Sequence, residues 1–279
     1  MTTSLNPAKL PTPAQIPCDP PIPDSQLIFD DGEPLETLRH RLAMNLLIDS
    51  AQSALLGAER NDFFVGGNMF VYYAADQRMN RDFRGPDFFA VLGVERERER
   101  KGWVLWQEDW KFPDVIIELL SSSTAQVDKG IKKDLYEQRF KTPNYFIYDP
   151  FDPNSLQGWH LDAQGQYQPL QPNPKGWLWC QALGLWLGNW QGRAYLHPPV
   201  EDCTWLRFYD RTGQLIPNLD EQAWLKAQQA ESRLAQAQEQ VEQEKIRAQQ
   251  AEEQVEMEKS LREALIAKLK AKGIDPDQL

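Results

Sequence analysis

Histidine and cysteine are scarce in this chain, three of each in 279 residues. Cys18, Cys180 and Cys203 are odd in number and far apart, and His40, His160 and His197 are equally scattered. No spacing suits a zinc site or a disulfide framework, so a reducing, cytoplasmic compartment is expected. Long apolar runs are also missing. None approaches the roughly 18 apolar residues that a membrane span needs, and the N-terminus has Lys9 but no apolar stretch of signal-peptide length. The third shortage is positive charge. Lys and Arg number 30 against 41 Asp and Glu, a net charge of −11. That balance argues against a general nucleic-acid binder. It is unevenly spread, however, because the chain from Glu221 onward is dense in Glu.

What is present suffices for one sizeable core. The chain is 41% hydrophobic and holds ten Trp. Its organising stretch runs from Phe112 to Pro150 and reads as strand, loop, helix, turn, strand. Val115, Ile116, Ile117, Leu119 and Leu120 are the mark of a strand buried on both faces. A polar loop at Ser121–Thr124 leads to a helix over Asp128–Phe140, which Pro143 stops. Tyr145–Tyr148 form the next buried strand.

Around this stretch the segments fall in order. Residues 1–26 hold seven prolines and read as an extended or disordered leader. A helix is expected over Pro34–Leu56. Phe63–Tyr73 reads as one strand bent at Gly66-Gly67, and Phe88–Leu92 as a second buried strand. The charge run at 95–101 reads as a solvated loop, and Trp103–Trp106 as a short strand. FDPNSLQGW, Phe151–Trp159, looks turn-rich. Short antiparallel strands follow, with turns at Gly165 and Gly176, and a hairpin at Trp205–Ile216 turns at Arg211–Gly213. From Asp220 to Lys272 a heptad seam (Leu234, Val241, Ala248, Val255, Arg262, Leu269) predicts a long helix of coiled-coil character. Glu244 and Glu258 sit in its second seam, which suits a weak or conditional coiled coil.

Chemistry is suggested by charge inside apolar runs. Glu118 interrupts a buried strand, where an unpaired carboxylate costs roughly several kcal/mol. It therefore needs a cation, a metal or a hydrogen-bond donor. Alternation puts Asp114, Ile116 and Glu118 on one face, and Asp87, heading the neighbouring strand, can converge with Glu118. Paired carboxylates suit a shared divalent cation, with magnesium the natural guess. Asp128, Lys132 and Tyr136 are spaced four apart on the helix that follows, and Lys132 can project toward the carboxylates. Plainer readings exist for each. Asp114 fits turn chemistry, Asp128 a helix N-terminus, Tyr136 packing, the Trp177–Trp190 aromatics core, and Glu118–Lys132 a structural ion pair.

Pro86-Asp87, Pro113-Asp114-Val115-Ile116-Ile117-Glu118, Ser123-Thr124, Asp128, Lys132, Leu135-Tyr136, Pro143, Tyr145 and Asp149-Pro150 together resemble the bacterial putative restriction endonuclease family of the PD-(D/E)XK nuclease superfamily. The resemblance spans residues 28–216. It implies an α/β restriction-endonuclease-like core of helix, three strands, helix and strand, here with a β-rich extension and a long C-terminal coiled-coil helix. It also implies a Mg2+-dependent (or Mn2+-dependent) endonuclease acting on nucleic acid, DNA foremost, with Asp87 and Glu118 as metal ligands and catalytic Lys132. The chain departs from the superfamily motif at Leu120, where a Lys would stand, and Lys132 takes that place from the helix. Glu36 or Glu33 would add an acidic contact.

The expected domains are the leader at 1–26, a nuclease domain with its β-rich extension at 27–218, and the helix at 219–279, with self-association or a protein partner through residues 221–271 and no membrane. Two rival readings remain. One is a nuclease-fold scaffold without cleavage that acts through its coiled coil. The other is a phosphohydrolase of small molecules.

Overall fold

The computed structural model describes residues 37–73, 83–121, 127–193 and 203–271. It is a mixed α/β protein in two compact units, Met1–Leu219 and Asp220–Leu279. In the first unit, helix α1 spans Leu38–Gly57 and is capped by Thr37, whose backbone is extended and whose hydroxyl oxygen accepts the His40 N–H at 3.2 Å. This start falls after the Pro34 expected from sequence. Residues 34–36, and with them Glu33 and Glu36, lie outside the described residues, as do the 1–26 leader and Ser122–Thr124.

Six strands form the main sheet: β1 (Phe63–Gly66), β4 (Phe88–Leu92), β6 (Val115–Leu119), β7 (Asn144–Asp149), β8 (Asp152–Leu161) and β9 (Tyr167–Pro169), in that spatial order. All neighbours are antiparallel except β6 and β7, which are parallel. A parallel pair needs a crossover, and helix α2 supplies it. Its turns are Asp128–Lys132 (π), Lys133–Leu135 (α) and Tyr136–Phe140 (π), and Lys141 ends it with φ 54°.

The sheet is buried on both faces, which is why β4 and β6 read as unbroken apolar runs. On one face Phe88, Ala90, Val115, Ile117, Leu119, Phe146 and Tyr148 pack with α1. The second three-stranded sheet covers the same face: β10 (Leu178–Cys180), β11 (Leu185–Gly192) and β12 (Cys203–Tyr209). On the other face Phe89, Val91, Ile116, Leu120, Tyr145 and Ile147 pack with Tyr136 and Phe140 of α2.

Two expectations are corrected here, and a third, the solvated loop at 95–101, holds except at one residue. Phe63–Tyr73 is not one bent strand, because β1 ends at Gly66 and β2 (Val71–Tyr72) joins a separate small sheet with β3 (Phe83–Arg84) and β5 (Trp103–Val104). The break has a steric cause. Gly67 runs so close to the Asp87 backbone that an added Cβ would overlap the Asp87 carbonyl, and Asn68 takes φ 48° while donating its N–H to Pro86 O. The stretch read as turn-rich is largely the ten-residue strand β8, which edges β7 and leaves Gly158 no room for a side chain against Phe146. The 95–101 run is exposed apart from Arg100, whose side chain is 2% exposed, bonds both oxygens of Glu108 and lies over Phe64 and Trp103.

The described part of the second unit is one long helix, α3 (Leu219–Ala271), roughly 80 Å at about 1.5 Å per residue. Leu234, Val241, Val255 and Leu265 of the heptad seams are exposed along it. Among the described residues no helix is long and apolar enough to cross a membrane.

The Gly67 contact gives a test. Gly67→Ala must push the Asp87 backbone aside, so we expect a stability loss of about 1–3 kcal/mol. It would be read as a lower urea midpoint at unchanged slope.

Candidate active site

The site begins with strand register. Phe88 lies opposite Ile117 and Phe89 opposite Ile116. Continuing by one residue sets Asp87 against Glu118, both on the face that α2 covers. The pairing is tied by the Leu119 N–H, which donates to Asp87 Oδ2 at 2.7 Å. Pro86 and Asp87 therefore do more than start a strand, because the carboxylate extends the pairing with β6 just before β4 begins.

Glu118 is 0% exposed. Its Oε1 accepts the Tyr136 hydroxyl at 2.8 Å, and its Oε2 lies 3.1 Å from Lys132 Nζ. Lys132 Nζ also lies 2.7 Å from Asp128 Oδ1. Asp128 is 1% exposed and the Lys132 side chain 17% exposed. The four groups form a chain: Tyr136, Glu118, Lys132, Asp128.

Helix geometry brings the three α2 residues of this chain, Asp128, Lys132 and Tyr136, into line. A turn of α-helix takes about 3.6 residues, so residues four apart drift steadily around it, whereas a wider π turn drifts them the other way. Alternating π, α and π turns keeps Asp128, Lys132, Tyr136 and Phe140 facing the sheet. Aromatic packing fixes the helix in that position. Tyr145 of β7 donates its hydroxyl to Asp128 O at 2.8 Å and meets Tyr136 edge-on.

The electrostatics are those of carboxylates short of cations. Burial, then the charge of Glu118, push the Asp87 carboxyl well above its ordinary value, against the pull of the Leu119 N–H and Lys132. Burial raises Glu118 as well, although Lys132 and the Tyr136 hydroxyl draw it back. For Lys132, burial works against the charged form, but Glu118 and Asp128 outweigh it and hold the ammonium protonated. Three carboxylates thus draw on one ammonium. Fully ionised, these three carboxylates and Lys132 carry a net charge of −2, with the positive charge of Arg84 near enough to act on Tyr136.

The structure therefore brings Asp87, Glu118 and Lys132 together. It separates Asp114 from them. That carboxylate sits before the other end of β6 and accepts the Leu92 N–H at 2.7 Å, a strand-pairing role. Two residues given plain readings prove to be part of the group. Asp128 does stand in the first turn of its helix, and its carboxylate is also a buried partner of Lys132, while Tyr136 packs but also holds Glu118. Their four-residue spacing on the Lys132 face was the available signal. His40 was not singled out from sequence. Its Nε2–H donates to Leu120 O at 3.1 Å and its Nδ1 meets the Thr37 hydroxyl at 2.8 Å, tying α1 to the end of β6. Leu120 itself packs under α2 in the cluster with Tyr136. That packing accounts for an apolar residue at 120 where the ammonium arrives from the helix instead.

A family model described as Uma2, putative restriction endonuclease, matches residues 15–190. The chain belongs to this family. No curated protein matches the sequence. The Uma2 match covers α1, the main sheet and α2, and so every residue of the group described above.

Asp87 supplies a test with a defined sign. A carboxyl whose folded pKa is raised binds protons more readily folded than unfolded, so it costs stability as pH rises from the unfolded pKa through the folded one. Asp87→Asn removes that cost and keeps an oxygen for the Leu119 N–H. We expect the variant to be more stable than wild type at pH 8 without added metal, on the order of 1 kcal/mol. The gain should vanish near pH 4, and paired thermal melts at the two pH values would measure it.

Proposed function

We propose that this chain is a metal-dependent endonuclease that hydrolyses phosphodiester bonds of nucleic acid, DNA foremost. The observation that carries the reading is Asp87 facing Glu118 across adjacent strands, with Lys132 delivered to the same carboxylate from α2. The Uma2 family's description as an endonuclease supports it. So does the order of helix, three main-sheet strands, helix and strand, which is that of a restriction-endonuclease-like core.

The donor set fits magnesium or manganese. Its oxygens are hard, its excess charge matches a divalent ion, and magnesium commonly takes one or two carboxylates and keeps several waters. Among the described residues, no group of three or more His, Cys, Asp and Glu is arranged to hold an ion. Asp87 and Glu118 would hold it. When bound, the ion would polarise the scissile phosphate and lower the pKa of the attacking water. Lys132, kept protonated by its carboxylates, stabilises the negative charge that develops on the phosphate oxygens. Tyr136 fixes the Glu118 carboxylate, and the aromatic packing of α2 keeps water from the back of the site.

In this reading residues 27–218 are the nuclease domain and 1–26 a leader. Residues 219–279 are a helix for self-association or a protein partner through 221–271, and the exposed Leu234, Val241, Val255 and Leu265 support that use. A second reading has an observation of its own. Both Glu118 oxygens already have partners in Tyr136 and Lys132, as a nuclease fold retained as a scaffold would require.

Cleavage of supercoiled plasmid separates the two readings. We expect nicking with magnesium or manganese, none with EDTA, and a loss of at least about 100-fold in Glu118→Ala and in Lys132→Ala. Cleavage retained in Lys132→Ala would remove the lysine from the mechanism. A folded protein inactive with every metal would favour the scaffold.

A further inference from the structure

Lys132 and a metal ion compete for one carboxylate. Lys132 Nζ lies 3.1 Å from Glu118 Oε2, and Glu118 Oε1 is taken by the Tyr136 hydroxyl. A divalent cation on Oε2 would meet an ammonium at the same oxygen, and like charges at that separation repel strongly in a buried site. The ammonium must move, and a buried ammonium without a counter-charge is costly. Asp128 offers the alternative. Its Oδ1 is 2.7 Å from Nζ, closer than Glu118, on the same helix and itself buried. The Tyr145 hydroxyl donates to the Asp128 backbone carbonyl, which holds this turn of α2 against the sheet.

We propose that Asp128 is a positioning residue that takes over Lys132 when Glu118 turns to the metal. It clears Glu118 Oε2 for the cation while keeping the ammonium beside the phosphate. In this structure Lys132 bridges the two carboxylates, and on metal binding it shifts wholly to Asp128. Without Asp128 the lysine stays on Glu118 and competes with the ion. The inference rests on the metal-dependent reading of Asp87 and Glu118 and adds to it a role for a residue outside the ligand pair.

A double-mutant cycle on metal affinity tests it without reference to cleavage. Mn2+ binding to the full chain would be measured by titration calorimetry for wild type, Asp128→Asn, Lys132→Met and the double variant. We expect Asp128→Asn to weaken Mn2+ binding about tenfold when Lys132 is present, and by less than about threefold in the Lys132→Met background. Equal losses in both backgrounds would mean that Asp128 acts on the ion directly, and would overturn the proposal while leaving the metal site standing. No Mn2+ binding by wild type would overturn the metal site and this role together. Asp128→Ser serves in the same cycle if the Asn variant does not fold.

Discussion

A carboxylate inside an apolar strand has to be answered by a cation, and here the answer comes from a helix. Glu118 is sealed between two layers of the fold, with Ile116 and Leu120 on its own face and Ile117 and Leu119 on the other. Lys132 must reach it, so α2 must cross the sheet at a fixed height and rotation. The aromatic contacts of Tyr136, Tyr145 and Phe140, the π turns and the Tyr145 hydroxyl on Asp128 O all serve that placement. The far face, packed with α1 and the second sheet, holds β6 rigid behind the carboxylate.

The same arrangement is electrostatically unbalanced. Three carboxylates around one ammonium is a poor way to stabilise a fold, because each buried charge gives up hydration that its neighbours only partly replace. An apolar strand and helix would pack at least as well. Strain of this kind is concentrated where charge is held ready for a ligand. The Gly67 approach to Asp87 has the same character, since the chain gives up a continuous strand to let two backbones close on the carboxylate's anchor.

Much of this was legible in the sequence, and for identifiable reasons. Strands β4 and β6 announce themselves because burial on both faces leaves them no polar positions, so Glu118 stands out. Lys132 was found through its spacing from Asp128 and Tyr136 and through a resemblance that the Uma2 match supports. Other features depend on contacts that no local pattern encodes. β8 carries Asp152, Pro153, Asn154 and Gly158 and reads as turns until β7 is beside it to pair. Arg100 looks solvated in a charge run until Glu108 and two aromatic rings close around it. Asp128 obeys the rule for a helix start, and only the packing of α2 shows that its carboxylate is spent on Lys132. The π turns were not visible at all, because their residues are those of an ordinary helix.

The most direct measurement is the anomalous diffraction of crystals soaked in manganese. A manganese peak coordinated by Asp87 and Glu118, with the Lys132 ammonium withdrawn onto Asp128, is the expected result. Crystals in which Lys132 still bridges Glu118 and Asp128 at saturating manganese, with no peak between the two strands, would contradict it and leave Glu118–Lys132 as a structural ion pair.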